Sequence, residues 1–148
     1  MRKFIYAIAI ISLAIISCQK PNASLRPATP ALNGSWRMIL VTDNVSGLAT
    51  TKPVTIPNDV DITFTSLGPG NGTFTGVTPT NQIWENGYST GAGQTIAIPE
   101  LGITKAWETD WGYFFVGNIR SSLSYTLGAG NILDIRTVNK TLRFRKLP

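Results

Sequence analysis

Histidine is absent from the 148 residues, cysteine occurs once, as Cys18, and only 14% of the side chains are charged. Without histidine, neither a Ser-His-Asp triad nor a histidine-ligated metal site can be built. With one thiol, the chain offers no intramolecular disulfide, thiolate zinc cluster or CxxC redox pair. A long hydrophobic run is also missing. The longest apolar stretch, residues 4–16, is interrupted by Ser12 and falls short of the roughly 20 residues that span a bilayer core. There is no phosphate-binding glycine loop, and the sole Ser-x-x-Lys runs from Ser17 to Lys20. We therefore assign no catalytic residue, no metal ligand and no cofactor, and expect a non-enzymatic role.

What is present describes a strand-rich chain. Hydrophobic residues make up 43%, with 14 Gly and 9 Pro, and the apolar residues fall in short groups, a composition of globular rather than disordered sequence. The formal charge of +5 overstates the basic character of the mature protein. Without Arg2 and Lys3, the 13 basic residues fall to 11 against 8 acidic ones, a balance of +3. That surplus suits solubility and gives no case for nucleic-acid binding.

Arg2 and Lys3 precede the apolar residues 4–16, which end in Ile15 and Ile16 and are followed by Ser17 and Cys18. Charge, short apolar core and small residue together mark a cleaved export signal over residues 1–17. The last four positions resemble a bacterial lipobox, which implies acylation of Cys18 after cleavage. Two or more acyl chains hold a protein stably on a membrane, at about 0.8 kcal/mol per buried CH₂. Gln19 in place of an aspartate resembles the sorting pattern of outer-membrane lipoproteins. Residues 18–31, with Pro21, Pro27 and Pro30, read as an extended tether. The folded domain is expected over 32–148, mainly β, with antiparallel strands in a barrel-like or strongly curved sheet and one short helix near 110–120.

Period-two alternation sets the expected strands. Trp36, Met38 and Leu40 share one face of the first. A long connection over 42–57 includes a short strand near 54–56. Val60, Ile62 and Phe64 face inward in a strand over 59–66, which a glycine-rich turn at 68–72 joins to residues 73–77. Further strands are expected at 82–84, 95–98 and 103–107. Thr109 or Asp110 caps a helix carrying Trp111, Phe114, Phe115 and Ile119, with Arg120 near its C-terminal end. Leu123, Tyr125 and Leu127 alternate in the next strand, and a final hairpin pairs 132–137 with 141–145, where Leu142 and Phe144 face in.

This order of motifs resembles the META domain family of the HslJ type. The residues that carry the likeness are Leu32-Asn33-Gly34-Ser35-Trp36, Ile62-Thr63-Phe64, Gly72 to Gly76, Asn81, Gly87-Tyr88, Thr104-Lys105, Ser124-Tyr125 and the terminal Phe144. Thr80 stands where many members have a cysteine, and no cysteine lies near Trp107. The resemblance implies an envelope protein linked to stress tolerance. A second likeness is to calycins: Gly34-x-Trp36 is similar to the lipocalin signature, with Arg143 or Arg145 available to cover the indole. It implies a carrier of a small apolar ligand.

Asp59 and Asp61 share the outer face of one strand, where a carboxylate-based hydrolase would need them, although a solvated surface is the simpler use. Glu108 and Asp110 suit the start of the helix. Trp107, Trp111, Phe114 and Phe115 are expected in the core, whereas Trp84 sits among polar residues and is expected at the surface. Trp84, Tyr88, Arg143 and Arg145 are the candidate partner-binding residues, and Arg136, Lys140 and Lys146 extend a basic face on the last hairpin. The expected partners are the membrane, through Cys18, and an envelope protein or glycan; a monomer is expected.

Overall fold

A computed structural model describes residues 32–148. The expected signal peptide over 1–17, the expected tether over 18–31 and the expected acylation site Cys18 lie outside the described residues. The domain has nine strands: β1 Gly34–Asp43, β2 Ala49–Thr50, β3 Asp61–Gly68, β4 Asn71–Val77, β5 Gln82–Gly91, β6 Thr95–Ala97, β7 Ser122–Gly128, β8 Ile132–Thr137 and β9 Lys140–Lys146. Its α-helix, α1, spans Asp110–Val116. Each strand from β3 onward pairs antiparallel with the next, and β9 returns to β1, so eight strands close a barrel. β2 is a short addition beside the far half of β1. Closure leaves few unpaired strand edges, which removes a route to aggregation.

The inward side chains make one core. Val60, Ile62, Leu133, Ile135, Leu142 and Phe144 have no accessible surface, so they border neither solvent nor an internal void wide enough for a water molecule. Phe64 packs tilted on Phe74 at 5.6 Å and edge-on to Tyr88 at 5.1 Å between ring centres, within the range of favourable aromatic pairs. α1 lies against one end of the barrel with Trp111 and Phe115 fully buried, and Phe115 meets Phe144 edge-on at 6.4 Å. The Thr109 hydroxyl caps the helix by accepting from the Gly112 amide at 3.1 Å, as the sequence led us to expect.

The barrel's other end carries Leu32. The Trp36 indole N–H donates to the Leu32 carbonyl at 2.8 Å, Gly34 turns the chain at φ 119, and the Lys146 ammonium covers the indole at 5.5 Å. That φ is a conformation only glycine adopts readily, so Leu32, Gly34 and Trp36 form one packing unit. Lys146, rather than Arg143 or Arg145, takes the place over the ring.

Several expectations need correction. A register shift between Met38 and Leu40 breaks the alternation of β1, so Val41 rather than Leu40 follows Met38 into the core; an extra residue in one strand reverses every later side chain. The short strand is β2, not 54–56, and Val54 is exposed. β5 runs well past Trp84 to Gly91. Residues 103–107 form no strand beyond a single bridge between Ile83 and Ile103, and Trp107 is 96% exposed rather than buried. A second shift, between Ser122 and Ser124, puts Leu123 outside while Tyr125 stays inside. Arg120 sits in a 3-10 turn beyond α1, where it donates weakly to the Pro99 carbonyl at 3.4 Å.

Candidate functional site

β3, β4 and the start of β5 present a row of polar side chains on the outside of the barrel, because the alternation that sends Ile62, Phe64 and Phe74 inward sends their neighbours out. Thr63 pairs across the strands with Thr75, Asp61 with Val77, and Val77 with Gln82. Gly76, paired with the inward Ile62, also lines the trough, and a Cβ there would stand 2.1 Å from the Asp61 carbonyl oxygen. Thr63 also shares a 2.8 Å hydrogen bond with Ser35. Trp84 forms the wall: the residue is 58% exposed, its backbone amide donates to the Gly102 carbonyl at 3.0 Å, and Gly102 lies against the ring. Together these residues line an open trough of about 400 Å³.

A second trough of about 450 Å³ shares Asp61, Val77 and Gln82 with the first and continues past Arg37, Asn58 and Asp59 to Thr78 and Thr80. Its charges are matched among themselves. The Arg37 guanidinium donates to both oxygens of Asp61, at 2.8 and 2.7 Å, and reaches Asp59 at 3.0 Å. Lys52 holds the other Asp59 oxygen at 2.6 Å. Its bonds to Asp61 hold Arg37 above the ordinary arginine range against the opposing effect of burial. Asp59 and Asp61 thus do share an outer face, and each is engaged by a cation. A carboxylate whose oxygens are committed to cations in this way is a poor nucleophile.

Beside the trough, a polar knot pins the connection between β6 and α1. The buried Asn81 accepts from the Ala106 amide at 2.8 Å and the Thr104 hydroxyl at 3.0 Å, and it donates to the Ala106 carbonyl and to Glu108. Glu108 also accepts from the hydroxyls of Thr78 and Thr80 and from the Thr109 amide. Burial acts most strongly on this carboxyl and pushes its pKa up; the bonds from Thr78, Asn81, Thr109 and Thr80 together outweigh burial and leave it below the ordinary glutamate range. Glu108 fastens the helix start to the 78–81 turn.

Of the four candidate partner-binding residues, only Trp84 belongs to this groove. Tyr88 is a correction: it is 7% exposed, inside the barrel against Phe64, because β5 continues through it with its side chain inward. Its ring occupies the place where Gly72, its cross-strand partner, would carry a Cβ. Arg143 is exposed but tied to Asp134 by two bonds of 2.8 Å. Arg145 is exposed, and among the described residues it has no ion pair. Lys140 reaches Asp43 at 2.6 Å and also lies over Phe114, so Lys140 and Arg143 are not free members of a basic face on the last hairpin. Thr63, Thr75 and Gln82 were not singled out from the sequence; their signal was the outward Thr alternation of β3 and β4. Among the described residues no group of three His, Cys, Asp or Glu gathers to hold a metal ion, and no helix is long and apolar enough to cross a membrane. Comparison of the chain with models of protein families, with curated proteins and with solved structures finds no match.

Proposed function

We propose that this protein is an outer-membrane lipoprotein, anchored through Cys18, whose META-like barrel serves as an interaction module of the cell envelope. The observation that carries the module reading is a barrel interior occupied by the protein's own side chains, which leaves the outer surface to do the binding. The anchor reading rests on Ile15 to Cys18 behind a short apolar core. Further support comes from the residues of the META resemblance: Leu32, Gly34 and Trp36 lock one end of the barrel, Asn81 and Thr104 meet in the polar knot, and Gly72 accommodates Tyr88.

A lipocalin-like carrier is the second reading. It is favoured by eight strands closing a barrel and by a basic side chain of the last strand over Trp36. Against it, Val60, Ile62, Leu133, Ile135, Leu142 and Phe144 are fully buried and offer no surface to an internal ligand. A hydrolase is disfavoured by the engagement of Asp59 and Asp61 with Arg37 and Lys52.

Growth with radiolabelled palmitate tests the anchor. The wild-type chain is expected to take up label and to fractionate with the outer membrane, while Cys18→Ala loses both. Label that persists in the variant overturns the lipoprotein reading.

A further inference from the structure

We propose that the outer-face groove walled by Trp84 binds a neutral glycan chain. The inference rests on the reading of the domain as an interaction module and names the ligand class of one site on it. Three features of the groove point to that class.

The first is the wall. A tryptophan left 58% exposed beside a polar row presents a large apolar surface to solvent, and such surfaces mark binding sites when they are held in place. Trp84 is so held, by its backbone bond to Gly102 and by Gly102 against its ring. A pyranose presents one face of C–H groups that stacks on a flat aromatic ring, with hydroxyls around its rim.

The second is the row of neutral hydrogen-bonding groups next to the indole. The Thr63 and Thr75 hydroxyls and the Gln82 amide line the same trough. Among the described residues the Thr75 hydroxyl and the Gln82 side-chain amide have no protein partner, and so remain open to ligand hydroxyls. These groups sit on paired strands of a closed barrel, so little ordering is needed on binding.

The third is charge. Arg37, Lys52, Asp59 and Asp61 balance, and every one of them is engaged with a partner in the set. An anionic ligand would meet Asp61 and a cationic one Arg37, so neither gains from the groove, whereas uncharged hydroxyls can donate to Asp61 and accept from Arg37. The two troughs, about 400 and 450 Å³, are each of the size of small-ligand sites. They share Asp61, Val77 and Gln82 along their linings and are open to solvent, which suits a chain lying across the surface better than an enclosed molecule.

The full-length lipoprotein, kept in a polyoxyethylene detergent that carries no sugar, can be titrated with neutral gluco-, manno- and xylo-hexasaccharides and with an oligogalacturonate, following binding by calorimetry and by indole fluorescence. At least one neutral series is expected to bind. Trp84→Ala should then weaken it at least tenfold and Gln82→Ala several-fold, while Trp107→Ala, which removes the other exposed indole, leaves it unchanged. Retained binding in Trp84→Ala, equal loss in Trp107→Ala, stronger binding of the galacturonate, or no binding by any neutral series overturns the proposal. A photoreactive amino acid at Thr75 in intact cells separates this outcome from failure of the module reading. Crosslinks to a glycan support the site; crosslinks to a protein overturn the glycan but keep the module; no crosslink overturns both.

Discussion

Single residues set the geometry of this domain where alternation alone would not. Gly76 cannot take a side chain because the Asp61 backbone occupies the space, and Gly72 cannot because the Tyr88 ring does; both are places where the sequence shows only a glycine and the packing gives the reason. Asn81 and Glu108 act in the opposite way, drawing backbone and hydroxyl groups from distant segments onto one amide and one carboxylate. Glu108 sits below its ordinary glutamate value of 4.5 in the folded protein, so the unfolded chain takes up the proton first. The stability that its ionised form contributes is complete above pH 4.5 and is lost as the pH falls through the lower folded value. Asp43 behaves in the same direction, chiefly through the hydrogen bond from Lys140, and shares the acid sensitivity. Glu108→Gln turns an acceptor oxygen into a donor facing the donors of Thr80 or Asn81. It is expected to cost about 1–3 kcal/mol at pH 7 and to flatten, without abolishing, the decline in stability below pH 4.5, as read from urea unfolding across pH. A decline as steep as that of the wild type would show that Glu108 is not one of its sources.

At the level of elements, the sequence was most readable where a tight turn separates two alternating runs. β3 with β4 and β8 with β9 follow this rule, and their inward Ile62, Phe64, Leu142 and Phe144 were identified by period alone. The reading failed where one residue too many enters a strand, since neither Met38 to Leu40 nor Ser122 to Ser124 carries a local mark of its bulge. It failed again in β5, where Asn86 and Gly87 conceal a strand that continues to Gly91. Trp107 misled because its size suggests burial, while the connection it belongs to is fixed by polar bonds to Asn81 instead. The groove was half visible: Trp84 stood out among polar residues, but its neighbours are ordinary threonines and a glutamine that only strand register brings together. The start of α1 offers a test of how such contacts override propensity. Alanine in place of glycine within a helix is usually favourable by about 1 kcal/mol. At Gly112 a Cβ would stand 2.2 Å from a Glu108 carboxylate oxygen, and the carboxylate cannot retreat without giving up its bonds to Thr78, Thr80 and Asn81. Gly112→Ala is therefore expected to destabilise by about 1–3 kcal/mol. Placed on Glu108→Ala, the same change should become neutral or favourable. A double-mutant cycle in chemical denaturation measures the coupling, and additive effects would show that the two positions do not compete for space.

For the molecule as a whole, closure has two consequences that bear on function. The ring of strands puts Leu32 beside Trp36 and Lys146 at one end, while α1 covers the other. The Trp84 groove lies between these two ends, on the outer face of β3, β4 and the start of β5. The second consequence concerns the interior. A carrier needs a permanent cavity, whereas here Trp111, Phe115 and Ile119 from the helical segment meet the strand side chains with no accessible surface left on any of them. Xenon distinguishes the two states, because it enters dry apolar cavities and finds no site in a packed core. Crystals of the wild-type protein under xenon pressure are expected to show no interior site. Phe115→Ala should lose about 3–5 kcal/mol of stability and gain a xenon site between α1 and Phe144, where the missing ring stood. A xenon atom inside the wild-type barrel would restore the carrier as the leading reading, since it would reveal a lumen between side chains that the packing otherwise fills.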